Sequence, residues 1–362
     1  MKILHTLYQC KTGAGALRVA LDLAAAARAE GHQVTILARD AAVFAAAGAE
    51  RFFTGNKIWD WWRLRHRLQA EAWDLVHLHD RYCSLLLRLM PTAPPSLQTN
   101  HMLYQTHRRL TLFANVVVGC SQAMDRHHAE FFGLPAWRRA CIPNGVTPPV
   151  AALPQLPFLR RSLPDPVGHR FLCLTVARLS EQKGHRYLLE AIARLPLGLR
   201  KSWAFVWAGD GDLELALRAQ AEQLGILEDV VFLGHTAHIP EWLALANAFV
   251  LPSLYEGLPL SLLEAMAAGL PCLATAVDGT CEVIRHQDNG LLSAPADPDS
   301  LQAQLQMLLS DADLRQRLGA QAQQDYQAHW SFDRTWQQYA ALYRQLSHSR
   351  SHEVKAYAHS AS

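Results

Sequence analysis

Leu251-Pro-Ser-Leu-Tyr-Glu-Gly-Leu-Pro-Leu-Ser-Leu-Leu-Glu-Ala-Met-Ala-Ala-Gly269 joins a strand end, a loop and a helix in one short run. The apolar run Ala248 to Leu251 reads as a strand that stops at Pro252-Ser253. Glu256 and Gly257 follow in a loop. Pro259 suits the first position of a helix, where its missing N–H is not needed. Gly269 suits the position just past the helix C-terminus. Glu264 then lies ~7.5 Å along the axis from Pro259, at ~1.5 Å per residue. A helix start of this kind carries unpaired N–H groups and the positive end of the dipole, and a phosphate favours that place. Two carboxylates bracketing it suit hydroxyls on either side of a diphosphate. The competing reading is a buried βα turn whose acids are solvated or capping.

Working outward, strand-like and helix-like stretches alternate on both sides of this run. In the first half Ile3–Leu7, Val34–Ala38, Asp74–His79, Ser96–Thr99 and Asn115–Gly119 read as strands, and Gly15–Glu30 as a helix. In the second half Phe171–Ala177, Ala204–Ala208, Val230–Leu233, Ala248–Leu251 and Cys272–Thr275 read as strands, with helices near 184–195, 212–224, 239–246, 259–268, 298–308, 311–327 and 333–347. Near-continuous apolar strands between helices imply parallel sheets covered on both faces. The fold class is therefore α/β, with two doubly wound, Rossmann-like domains. Such sheets place ligands beyond the C-terminal strand ends.

The expected organisation is an N-terminal domain over 1–150 and a C-terminal domain over 171–332. Between them, 151–170 reads as a linker, because six prolines crowd Pro148 to Arg170 and disfavour regular structure. The apolar stripe of 333–347 needs a docking surface, expected on the N-terminal domain. The polar tail 348–362 reads as disordered.

Composition excludes several classes. Half of the 362 residues are apolar and 18% are charged, as in ordinary globular chains. No run reaches the ~20 apolar residues of a membrane span. The seven cysteines are scattered without a C-x-x-C pair, which speaks against a zinc or redox motif and for a reducing compartment. The expectation is a cytoplasmic protein, with peripheral contact at the inner membrane face as an option. Net charge is only +2, yet residues 1–150 hold seventeen Lys and Arg against ten Asp and Glu. Lys57-Ile-Trp-Asp-Trp-Trp-Arg-Leu-Arg-His-Arg-Leu68 interleaves aromatics and cations in that basic half. With Arg108, Arg109, Arg138 and Arg139 it fits an anionic lipid interface, or else a helix burying its tryptophans in the core.

Other motifs fall just after strands. Thr12-Gly-Ala-Gly-Ala-Leu-Arg18 opens a helix, but a dinucleotide fingerprint would want glycine where Arg18 stands. Arg178-Leu-Ser-Glu-Gln-Lys-Gly184 puts two cations at a strand end, placed to balance a diphosphate. Of the Asp-x-Asp pairs, Asp297 and Asp311 fit helix caps, and Asp210 lies in a strand-to-helix turn. No metal is expected.

The order GAGALR, CIPNGV (141–146), ARLSEQKG (177–184), WAGDGDLE (207–214) and LYEGLPLSLLEAMAAGLP resembles the retaining glycosyltransferases of family 4, from about Met1 to Leu346. That resemblance implies the GT-B fold, two facing Rossmann-like domains with a cleft between them. It implies that Glu256 holds the donor sugar hydroxyls, that Glu264 takes the ribose, and that Arg178 and Lys183 grip the diphosphate with backbone N–H groups of Gly257, Leu258 and Leu260. Gly15 would bring the N-terminal domain against the donor. His101, in SLQTNH, best matches a family histidine near the reacting sugar, and His79, in VHLHD, is second. The implied activity is transfer of a hexose-type sugar from a UDP- or GDP-sugar to a glycan or glycolipid, in cell-surface polysaccharide or lipopolysaccharide synthesis. No cofactor and no nucleic-acid partner is expected. Departures are Ala14-Gly15 and Asp278-Gly279, where the family has Gly-Gly, and Leu17 in place of a frequent acid; Glu282 still follows. An inactive sugar-nucleotide-binding partner and a nucleotide-sugar epimerase are the alternatives. Glycoside hydrolysis, which two carboxylates also suit, fits a phosphate-type helix start less well.

Overall fold

A computed structural model describes residues 1–8, 15–39, 48–101, 111–164 and 167–348. They form two compact units, Met1–Asn144 with the C-terminal segment from Asp333, and Gly145–Phe332.

The first unit contains β1 (Lys2–Leu7), α1 (Gly15–Ala29), β2 (Gln33–Ala38), β3 (Ala49–Arg51), α2 (Lys57–Ala70), β4 (Leu75–Leu78), α3 (Arg81–Arg88), β5 (Ser96–Asn100), β6 (Val116–Gly119), α4 (Gln122–Glu130) and β7 (Arg139–Cys141). Its strands lie in the order β3-β2-β1-β4-β5-β6-β7, all parallel. One face is apolar, with Leu4, Val76 and Leu78 packed among Leu64, Leu68, Leu86 and Leu87 of α2 and α3. The strand chemistry is less uniformly apolar than the sequence pattern suggests. His5, Thr6, His77, Gln98, Thr99 and Asn100 are all fully buried.

The second unit contains α5 (Leu156–Arg161), β8 (Phe171–Val176), α6 (His185–Ala193), α7 (Leu197–Ser202), β9 (Trp203–Ala208), α8 (Glu214–Gln223), β10 (Val230–Gly234), α9 (Ile239–Leu245), β11 (Ala248–Leu251), α10 (Leu260–Ala267), β12 (Cys272–Thr275), α11 (Asp278–Cys281), β13 (Leu291–Ser293), α12 (Pro298–Ser310) and α13 (Ala312–His329). Its sheet runs β10-β9-β8-β11-β12-β13, again parallel. Trp203, Phe205 and Trp207 anchor a core against leucines of α6 and α12. Both sheets thus have the doubly wound order, with switch points between β1 and β4 and between β8 and β11.

The proline-rich stretch departs from its expected irregularity. Pro157 sits at the start of α5, where a missing N–H costs nothing. Leu159, Leu163 and Val167 are buried, and the Ala152 N–H donates to Glu241 Oε1 at 3.1 Å. Residues 349–362, read as a disordered tail, lie outside the described residues.

The last helix, α14 (Phe332–His348), belongs to the first unit from Asp333 onward. Its buried stripe of Trp336, Tyr339, Tyr343 and Leu346 is pinned by polar ends. Trp336 donates to Glu30 at 2.6 Å. Tyr343 Oη lies 2.7 Å from His77 Nδ1, and Tyr339 Oη lies 2.9 Å from Thr99 Oγ1.

Candidate active site

In the second unit the loops after β8 and β11 flank the switch point, and hydrogen bonds stitch them together. The Leu254 N–H donates to the Gln182 carbonyl at 2.7 Å. Gln182 Nε2 donates to the Tyr255 carbonyl at 3.0 Å. The turn after β9 joins them, with the Leu179 N–H donating to the Asp210 carbonyl at 2.8 Å. Two residues assigned to the site from sequence meet directly, for Lys183 Nζ forms an ion pair with Glu256 Oε1. Ser253 Oγ donates to that same oxygen at 2.6 Å. Ser253 is held in turn through its carbonyl, which accepts from Thr275 Oγ1 at the end of β12. Glu256 is 7% exposed and the Lys183 side chain 17%. A charge pair this dry relies on each member's partner. Arg178 is exposed.

The helix begins one residue later than the sequence suggests. Pro259 is the cap residue, at φ −77° and ψ 113°, and α10 starts at Leu260. The proline ring fixes φ but leaves ψ free, so Pro259 stays extended while its carbonyl accepts from Leu262 and Leu263. Gly269 follows the helix in the left-handed region, φ 72°. The N–H groups of Gly257, Leu258 and Leu260 have no hydrogen-bond partner among the described residues. Glu264 is buried within α10. Asp297 and Asp311 are caps, accepting from Ser300 at 3.0 Å and from Leu314 at 2.9 Å.

In the first unit His79 and His101 follow β4 and β5, both at C-terminal strand ends. The structure places them in one polar cluster that the sequence reading left incomplete. His5 Nδ1 lies 3.1 Å from His79 Nε2, and His79 Nδ1 lies 3.3 Å from His101 Nε2. Burial holds the His101 ring down to about 4. Burial, with Arg28 adding to it, holds His5 to about 3. His77 and His79 are also held well below the ordinary histidine value, first by burial and then by neighbouring rings. All four rings are therefore neutral near pH 7. His5, His77 and His79 each place a nitrogen within 4.8 Å of the others. His77, however, spends both nitrogens on Tyr343 and Thr99. The available signal for His5 and His77 was period two, since His77 and His79 share a strand face and His5 registers with His77. Gly15 opens α1, while the preceding residues of its motif lie outside the described residues.

Two family models match the chain. Residues 162–325 match "Glycosyl transferases group 1" and residues 13–148 match "Glycosyltransferase Family 4". Each model covers less than half of the chain, and the two lie in tandem along it. Among similar proteins, an uncharacterized glycosyltransferase of Methanocaldococcus jannaschii is 30% identical over 235 residues, covering 63% of this chain and 59% of that protein. A Vi polysaccharide biosynthesis protein of Salmonella typhi is 32% identical over 181 residues, 48% of this chain and 30% of that one. The chain thus aligns with less than two thirds of either relative. An Anabaena HepE structure in complex with UDP-glucose superposes with a TM-score of 0.82 at 22% identity, covering 95% of this chain and 100% of that one. The two Rossmann-like units thus have the GT-B fold of these neighbours.

Proposed function

We propose that the chain is a retaining, metal-independent glycosyltransferase acting in polysaccharide or lipopolysaccharide synthesis. It would move a hexose-type sugar from a UDP- or GDP-sugar to a glycan or glycolipid acceptor. The observation that carries this reading is the set of unpartnered N–H groups at Gly257, Leu258 and Leu260, beside the Lys183–Glu256 pair. A helix start with free amides and a neighbouring ammonium is a diphosphate cradle. The group 1 match, the Vi polysaccharide relative and the UDP-glucose complex of the similar fold support the choice of donor and pathway.

In this reading Arg178, Lys183 and the α10 amides hold the diphosphate, Glu264 holds the ribose, and Glu256 holds sugar hydroxyls. Gly15 and His101 would keep the roles the resemblance implies, Gly15 against the donor and His101 near the reacting sugar. As the C1–phosphate oxygen bond breaks, the acceptor oxygen attacks C1 from the same face and its proton passes to the departing phosphate. The residues then contribute positioning and charge stabilisation. Arg178, Lys183 and the amides supply the charge balance that a divalent cation provides elsewhere.

A thermal-shift panel tests the reading. A UDP- or GDP-sugar at a hundred times its Kd is expected to stabilise the protein by about 2.7 kcal/mol. The shift should survive EDTA, and nucleoside diphosphate should be released slowly without acceptor. No shift with any nucleotide sugar would sink the donor reading, and a shift abolished by chelator would sink metal independence.

The acceptor side carries a second expectation. No helix among the described residues is long and apolar enough to cross a membrane. On α2, however, Ile58, Trp59 and Trp62 are 84%, 52% and 53% exposed, and Trp59, Trp62 and His66 stack in a row. Trp61, half-buried, packs against the core. Lys57, next to Ile58 at the start of α2, is exposed too. This face suits anionic lipid. Co-sedimentation with phosphatidylglycerol vesicles at low salt is expected, weakened severalfold in Trp59→Ala/Trp62→Ala. Equal pelleting of the double variant would remove α2 from the account.

A further inference from the structure

Pro252 follows β11 and has no N–H to give to a strand ladder. The last residues of β11 and β12 in register are Leu251 and Ala274, and beyond them a side chain takes over. Thr275 Oγ1 donates to the Ser253 carbonyl. The Thr275 carbonyl accepts in turn from Thr280 Oγ1 of α11. Ser253 and Thr280 are fully buried, and Thr275 is nearly so. The backbone of Ser253 is thus fixed from the neighbouring strand and the helix after it.

The Ser253 hydroxyl has one proton to give, and it goes to Glu256 Oε1 at 2.6 Å, the length of a charge-assisted O–H···O bond. An ionised carboxylate only accepts, so the direction of this bond is fixed. Lys183 Nζ donates to the same oxygen. A carboxylate oxygen has roughly two lone-pair sites, and both sites of Oε1 are therefore taken. Oε2 has no partner among the described residues. Nor is it one of the sealed interior polar atoms that lack a partner. It therefore reaches the surface, although Glu256 as a whole is buried.

We infer that Ser253 is a positioning residue. With Lys183 it occupies Oε1 and leaves Oε2 as the single atom through which Glu256 meets a ligand. The last torsion of a glutamate side chain is broad. Without Ser253 the carboxylate is free to turn, and Lys183 can pair with either oxygen. Ser253 touches neither sugar nor nucleotide in this scheme, and its whole effect passes through Glu256. That the ligand group is a sugar hydroxyl rests on the proposed transfer; the Ser253–Glu256 bond does not.

Calorimetric titration of the full chain tests this, with UDP-glucose, UDP-galactose, UDP-N-acetylglucosamine and GDP-mannose each set against UDP or GDP alone. For the nucleotide sugar that the wild type binds most tightly, Ser253→Ala should weaken binding about tenfold, on the scale of a lost hydrogen bond to a charged group. Binding of the bare nucleotide should stay within about twofold, whereas a loop that had merely come apart would lose both. In a Glu256→Ala background the Ser253 change should have little further effect on the nucleotide sugar, because the group it orients is gone. If Ser253→Ala does not fold, Ser253→Cys, close in size and a weak donor, carries the comparison. Equal losses for nucleotide and nucleotide sugar overturn the inference, as does an undiminished effect of Ser253→Ala without the carboxylate. If the wild type binds none of these sugars, the donor reading fails instead, and urea midpoints judge the bond. The double variant should then fall by less than the sum of the two single variants, and strict additivity overturns the Ser253–Glu256 coupling.

Discussion

Glu256→Ala is expected to lower sugar transfer by about a hundred- to a thousandfold, the scale seen when one preorganised electrostatic contact is removed. The carboxylate is buried, accepts from Ser253 at 2.6 Å and pairs with Lys183. Its removal deletes the proposed grip on the sugar hydroxyls and leaves a nearly buried ammonium without its partner, an arrangement that costs several kcal/mol where no relaxation is possible. Lys183→Ala should lose turnover for the mirror reason, since the diphosphate loses its ammonium and Glu256 its counter-charge. The double variant should be destabilised by less than the sum of the two single ones, because the second change removes a charge that the first had stranded. Nucleoside diphosphate release and urea midpoints measure both quantities. Wild-type turnover in either single variant would refute the assigned roles.

Gly184→Ala is expected to be strongly disruptive for a change of a single methyl group in the second unit. The residue has φ +64°, and a Cβ there would stand 2.0 Å from the Pro252 carbonyl oxygen. The left-handed backbone alone costs of order 1–3 kcal/mol for a side-chain-bearing residue, and overpacking adds about 1–3 kcal/mol. Relief requires the β8 loop to leave the β11 loop, breaking the Gln182–Leu254 and Gln182–Tyr255 bonds and drawing Lys183 from Glu256. Gly225→Ala is the control, because its φ is +67° with nothing within 4 Å of the added carbon. Each kcal/mol should lower Tm by about 2–4 °C. Gly184→Ala should therefore melt several degrees below Gly225→Ala and should lose the nucleotide-sugar shift that the control retains. Equal melting of the two would mean that the loops are not coupled as described.

Much of this was legible in the chain because it depends on short-range rules. Strand and helix positions followed from apolar periodicity, and β11 and β12 fall at the residues expected for them. The strand-loop-helix turn was legible because a proline, a loop glycine and a C-terminal glycine act within a single βα unit. The proline-rich stretch misled, because proline at a helix start is as favourable as proline in a coil. Only burial of Leu159 and Leu163 distinguishes the two.

By itself the sequence determined that two parallel α/β sheets form and that cations and acids stand at strand ends, since periodicity and turn chemistry are properties of neighbouring residues. Tertiary structure alone decided which of those groups touch. Lys183 and Glu256 are 73 positions apart, and His5 is 74 from His79. Such pairs meet only because parallel strands distant in sequence are brought side by side. A hydrogen bond depends on a few tenths of an ångström and on direction, which no local pattern encodes.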